Sequence, residues 1–393
     1  MDTRLSFAFP GHTAVFFGAG QLNNLHTLAM PGKKALVVIS NGKSTRDNGY
    51  LDRTVNELKS AGVESVIYDK IQANPTKENV EEGAKIANAE GCDFIVALGG
   101  GSVMDAAKVI AINAANPGDL WRFAGGRTGK GEHPKNAPLA WIAITTTAGT
   151  GSEVDSAGVI TNLQTNEKLG IGDPRDFAVY AIVDPDLMLS VPPKFTAYQG
   201  FDALFHSLEG YVSNQANIFS DMVQEAAIRN TGKYLPIAYK DGSNKEARAR
   251  MAFANTMSGY SMDTSACTAE HSIEHAMSAY HESLPHGAGL IMISKAYFTT
   301  VINKHVCDDR FVNMAKFLGK EDAKEPMDFI TALVDLQKAC DVDKLKMSDY
   351  GIKPEEFDDM ASNAIDVMGG LVACDHQPLT HDEIVEILKQ SYK

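Results

Sequence analysis

A chain of 393 residues exceeds what one ordinary core holds, so two domains are expected. Its 44% apolar and 22% charged content is that of a soluble globular protein, which excludes disordered and fibrous classes. A net charge of −14 argues against nucleic acid or an anionic membrane surface as partner.

The first half alternates apolar runs with helical patterns. Lys34–Ser40 reads as a buried strand, residues 51–61 as a helix and residues 64–68 as a second strand. Asn74-Pro75-Thr76 opens a helix running to about residue 89. Residues 93–98 form a third strand, followed by Gly99-Gly100-Gly101-Ser102 and a helix from about Val103. Residues 139–144 and 180–183 add strand candidates. Strand, helix and strand at this rhythm predict a parallel α/β sheet. Past Asp184-Pro185 the character changes, and Val191-Pro192-Pro193 can continue neither a ladder nor a helix interior. Helical periodicity then dominates, as in residues 221–234, 245–262 and 356–368. The boundary is placed near 188, giving domains 1–187 and 188–393. No internal repeat is visible.

The glycine run between strand and helix lets a backbone approach a pyrophosphate closely, with helix N–H groups behind it. A tight turn alone would also use glycines there. Gly18-Ala19-Gly20 lacks a third glycine at position 23 and is discounted. A second polar turn, residues 145–153, offers hydroxyls for ribose and phosphate oxygens, or for a hydrogen-bonded loop.

The strongest pattern lies in the second half. Asp202 and His206 stand at i and i+4, one turn apart on one helix face. His271 and His275 repeat that spacing, and His286 follows. These donors suffice for a divalent transition metal. A metal pocket with a dinucleotide site points to metal-assisted hydride transfer. The cysteines at 92, 267, 307, 340 and 374 contain no CxxC pair, so a reduced, cytoplasmic setting fits better than a disulfide framework. Met1-Asp2-Thr3-Arg4 leads into no signal-peptide core, and no run is long enough to span a bilayer.

These residues resemble the iron-containing, or group III, alcohol dehydrogenases over nearly the whole chain. The likeness is carried by Phe17-Gly18, Asn74-Pro75-Thr76, the stretch from Gly99 to Lys108 and the Thr146-to-Glu153 turn. It continues through Asp184-Pro185, Gly200 to Tyr211 and Pro285-His286-Gly287. The resemblance implies a Rossmann-like dinucleotide-binding domain, an all-helical metal-binding domain and an active site between them. It implies Asp202, His206, His271 and His286 as metal ligands and His275 as a proton relay. It implies cofactor contacts at Asn74, Gly99, Gly100, Gly101, Ser102 and Asp105, with Thr146, Thr147, Thr150 and Lys168 along the same groove. It further implies Fe²⁺, with Zn²⁺ able to replace it on isolation. A nicotinamide dinucleotide, a small primary alcohol or diol (or its aldehyde) and a homodimer complete the expectation.

The family's glycerol dehydrogenase branch lacks a histidine where this chain has His206. A dehydroquinate-synthase-like cyclase would need basic groups near the ligands that are not seen, and the intact ligand set argues against a non-catalytic relative. The chain departs from the family at three places. Ser40 stands where NAD-preferring members carry an acid, which leans the expectation toward NADP, with Lys43 nearby. The stretch from His271 to His286 is slightly longer than the family spacing. Asp375-His376-Gln377 replaces an Asn-Pro-Arg. His12, His26, His133, His281, His305 and His381 are read as solvated surface.

Overall fold

The computed structural model describes residues 3–9 and 11–393. Met1 and Asp2, the start of the stretch without a signal-peptide pattern, lie outside them, as does Pro10. The chain divides into two compact units, Pro10–Ser190 and Val191–Lys393 with Met1–Phe9.

In the first unit the strands are β1 (Ala14–Phe17), β2 (Lys34–Ser40), β3 (Glu64–Ile71), β4 (Phe94–Gly99), β5 (Ala140–Thr145), β6 (Ala157–Asn162), β7 (Glu167–Gly172) and β8 (Tyr180–Val183). The helices are α1 (Ser44–Asp47), α2 (Tyr50–Ser60), α3 (Lys77–Glu90) and α4 (Gly101–Ala115). Six strands form a parallel sheet in the order β1-β8-β5-β4-β2-β3. The apolar runs of β2 and β4 are fully buried, as expected of strands covered on both faces. From β2 the chain moves outward to β3, then returns to the other side of β2 as β4. Open α/β sheets bind ligands beyond the strand carboxyl ends where the order reverses in this way. Ser40 closes β2 and Gly99 closes β4, so both stand at that switch point.

Two features escaped the sequence pattern. Edge strand β1 is short, and β6 and β7 form a separate antiparallel hairpin. The hairpin is rich in glycine, which depresses strand propensity. Gly158 has a packing reason: a Cβ there would stand 2.3 Å from the Asp105 carbonyl oxygen on α4. The hairpin also receives the start of α3, since Thr161 N–H donates to Pro75 O at 2.9 Å. Gly18 and Gly20 have positive φ, and the N–H groups of Gly20 and Leu22 donate to the Asp184 carboxylate. That internal anion accounts for the glycine pair without a ligand.

The second unit contains α5 (Pro193–Val212), α6 (Ile218–Lys240), α7 (Lys245–Ser265), α8 (Ala269–Tyr280), α9 (His286–Ile302), α10 (Asp308–Phe317), α11 (Asp328–Ala339), α12 (Phe357–Val372) and α13 (His381–Ser391). The proline pair begins α5, with Pro193 in the first turn, where a missing N–H costs nothing. From Gly200 to Val212 every residue of α5 is buried, and α8 is buried from Ala269 to Ala279. Helices covered all round form the core of such a unit. Among the described residues, no helix is long and apolar enough to cross a membrane.

Lys108 of α4 is completely buried. Its ammonium reaches Ser152 Oγ at 2.7 Å, Ala157 O at 2.9 Å and the Asp155 carboxylate. Lys108→Met leaves that carboxylate buried without its cation. Thermal or denaturant unfolding should register a loss of about 3–5 kcal/mol, the usual effect of breaking a buried pair from one side. Parent-like stability would show the pair to be energetically neutral.

Candidate functional site

Helix α5 presents Asp202 and His206 one turn apart, α8 presents His271, and His286 is the first residue of α9. All four converge. Asp202 Oδ1 lies 3.6 Å from His206 Nε2, 3.7 Å from His271 Nε2 and 3.5 Å from His286 Nε2. Asp202 Oδ1 and His271 Nε2 are buried and make no hydrogen bond among the described residues. Donors held about 2.0–2.2 Å from a common tetrahedral centre stand roughly 3.3–3.6 Å apart, so this spacing suits a divalent ion. Burial works to raise the Asp202 pKa. The facing imidazoles of His206, His286 and His271 outweigh it and hold the carboxyl below the usual range.

Sequence pattern missed the groups behind these rings. Glu209 of α5 bonds His271 Nδ1, and Glu274 of α8 bonds His286 Nδ1. A signal existed, because Glu209 and Glu274 each lie three residues beyond a histidine on the same helix face. Glu209 also accepts from Thr268 N–H at 2.8 Å and Thr268 Oγ1 at 2.9 Å. Asp375 accepts from Ala269 N–H at 3.1 Å and from Tyr297 O–H at 2.8 Å. Two carboxylates from elsewhere thus cap α8, whose own N-cap side chain makes no cap bond. Asp375 opens the segment that departs from the family. It is a buried anchor whose pKa burial pushes up to about 7, while His376 and Gln377 are exposed. Cys267 is a further unanticipated neighbour. Its sulfur and ring nitrogens of His206 and His271 lie within 4.8 Å of one another, and burial pushes the thiol up to about 11.

His275 is buried one turn beyond His271. Its ring centroid stands 5.4 Å from that of His286 and 6.2 Å from that of His271. It therefore sits beside the Asp202 cluster, next to His286. His281, expected at the surface, is half-buried and meets Glu356 at 3.1 Å.

In the first unit, the glycine turn and the threonine turn pack on each other. A Cβ on Gly100 would come within 2.8 Å of the Thr147 side chain, and one on Gly101 within 2.2 Å of Thr150. Thr146 N–H donates to Gly99 O at 2.9 Å. No side chain caps α4 at Gly100, and Ser102 follows in its first turn. Asp105 lies further along α4 and accepts from Ser152 Oγ at 2.7 Å; burial raises its pKa to about 6. Lys168 is buried on β7 opposite Thr161, and Thr161 bridges Thr76. Asn74 takes a left-handed φ of 53° just before α3. Ser40 is half-buried at the end of β2, and Lys43 is exposed. The structure brings the glycines, Ser102 and the three threonines together. It ties Asp105 into the Lys108 network, and the hairpin links Lys168 through Thr161 to Thr76 beside the Asn74 turn.

Residues 12–185 match the family model described as iron-containing alcohol dehydrogenase, and residues 196–392 match the C-terminal model of the Fe-containing alcohol dehydrogenase family. The chain is 33% identical to a 1,3-propanediol dehydrogenase of Citrobacter freundii over 368 residues, 92% of each chain. It is 31% identical to an NADH-dependent butanol dehydrogenase B of Clostridium acetobutylicum, covering 98% of this chain and all of that one. An archaeal halo-thermophilic Red Sea brine pool alcohol dehydrogenase superposes with a TM-score of 0.92 at 32% identity, over 100% of this chain and 99% of that chain.

Removing one converging nitrogen tests the metal cluster directly. His271→Ala, stripped with chelator and reloaded with Zn²⁺ or Fe²⁺, should retain no stoichiometric metal by elemental analysis. Full occupancy would exclude His271 as a ligand.

Proposed function

The chain belongs to the iron-containing alcohol dehydrogenase family, and we propose that Asp202, His206, His271 and His286 hold the metal of this oxidoreductase. It is an NAD(P)-dependent alcohol dehydrogenase acting on CH–OH groups. The observation that carries the metal reading is three imidazole nitrogens spaced around one buried carboxylate oxygen that makes no hydrogen bond. A divalent ion there supplies Lewis acidity toward an alcohol or carbonyl oxygen, and a nicotinamide dinucleotide supplies the hydride acceptor or donor. The family name favours Fe²⁺, although Zn²⁺ binds such donors more tightly.

The protein's own residues do the rest. Burial of Asp202, His206 and His271 keeps bulk water from these donors. In the first unit, Gly99, Gly100, Gly101 and Ser102 offer backbone N–H groups at the start of α4 to a pyrophosphate. Thr146, Thr147 and Thr150 line the facing turn, while Asn74, Asp105 and Lys168 shape its surroundings. The substrate is a small primary alcohol or diol, or the matching aldehyde, in keeping with the propanediol- and butanol-dehydrogenase relatives. His275 is a candidate to take the alcohol proton toward solvent, because an imidazole can accept and release a proton and this ring lies beside His286. A homodimer and a reducing compartment fit the family and the five unbridged cysteines.

Ser40 supports acceptance of NADP(H). It ends β2 at the switch point, where a carboxylate would hold ribose hydroxyls and repel a 2′-phosphate. In this it would differ from the clostridial relative, which is named for NADH.

The family activity is checked by following reduced nicotinamide absorbance of Fe²⁺-loaded protein with a panel of small alcohols, diols and aldehydes. Absence of turnover with every one would remove the substrate class. With NADPH as well as NADH in that assay, Ser40→Asp should shift preference toward NADH; a wild type that ignores NADPH would end the Ser40 reading. His275→Ala should keep its metal yet turn over roughly 10²–10⁴-fold more slowly, as for a lost acid–base group. Wild-type rate and pH profile in that variant would make His275 a packing residue.

A further inference from the structure

A neutral imidazole carries one proton on two nitrogens, and only the unprotonated nitrogen can donate to a metal. His286 is the ligand candidate with least support from packing: its side chain is 23% exposed, against 4–8% for the other three. It also stands on the first residue of α9, directly after the extended N-cap residue Pro285. A hydrogen bond opposes rotation of this ring. Glu274 is fully buried on α8, and its Oε2 bonds His286 Nδ1. The space that Glu274 needs exists because residue 289 is glycine. A Cβ there would stand 2.7 Å from Glu274 Cγ and 2.9 Å from its Oε1. Glu209, the corresponding partner of His271, also caps α8 through Thr268.

From this geometry we infer that Glu274 is a positioning residue: it holds the His286 proton on Nδ1 and aims Nε2 at the metal beside Asp202. The inference rests on the proposed metal site. A carboxylate behind the ring raises the basicity of Nε2 as well as fixing its direction, and loss of such a partner typically weakens metal affinity 10–100-fold. Gly289 is then part of the same device, because it leaves room for the carboxylate.

The test is Glu274→Gln, which keeps size and one hydrogen-bonding oxygen but removes the charge. Zn²⁺ affinity, measured by chelator competition on the full chain, should fall 10–100-fold. The melting temperature of the metal-free variant should stay level or rise, since a buried charge has gone. A purely structural carboxylate would instead lower that melting temperature, and an unchanged Zn²⁺ affinity would overturn the inference outright. If Zn²⁺ affinity is also unchanged in His271→Ala, the metal site itself is wrong. Should Glu274→Gln fail to fold, the wild type decides. Ring-nitrogen shifts of labelled histidine in the metal-free protein, with the His286 signal assigned by its loss in His286→Asn, should report a proton on Nδ1. A proton on Nε2 would overturn the proposal.

Discussion

Asp202 places a carboxylate oxygen deep in the helical unit where the described residues give it no hydrogen bond. An anion buried without compensation is costly, and three imidazole nitrogens 3.5–3.7 Å away answer that cost only in part. The proposed metal at their centre would complete the balance. The surrounding architecture serves that convergence. Asp202 and His206 ride on a helix that is buried over most of its length, so their positions are fixed by packing. The start of α9 comes close enough to bring in His286 because Gly287 has no side chain. A Cβ there would meet the Tyr198 carbonyl oxygen of α5 at 2.2 Å. The Pro-His-Gly motif is therefore a helix start, a proposed ligand and a close approach in consecutive residues.

Helix α8 depends on the same logic of carboxylates. Its first N–H groups would be orphaned inside the unit, since Thr268 makes no cap of its own. Glu209 and Asp375 take those donors from two other parts of the chain. Negative charge at a helix N-terminus is also favoured by the helix dipole. Glu209 then spends its other oxygen on His271. The support of the helix and the orientation of the His271 ring are thus one hydrogen-bonded structure.

The sheet unit solves a different problem by different means. Its phosphate-binding candidates sit where the strand order reverses, so two neighbouring strand ends diverge and leave backbone N–H groups accessible. Gly100 and Gly101 accept the close packing of the threonine turn, and the buried Lys108 with Asp155 and Ser152 holds that turn to α4.

Much of this was legible in the linear chain because it is local. Strands β2, β4 and β8 follow from apolar runs, α3 from its capping threonine, and the Asp202–His206 and His271–His275 pairs from helical spacing. Short strand β1 and the glycine-bearing hairpin were not legible, since their stability comes from pairing and from contact with α4 rather than from propensity. Glu209, Glu274, Cys267 and Asp375 were likewise hidden. Each is an ordinary residue until folding brings it against a particular histidine or helix end. Residue type and spacing along one helix determined which side chains could bind a metal. Only the tertiary structure decided which nitrogen of His271 and of His286 faces Asp202, because Glu209 and Glu274 bond the far side of those two imidazoles.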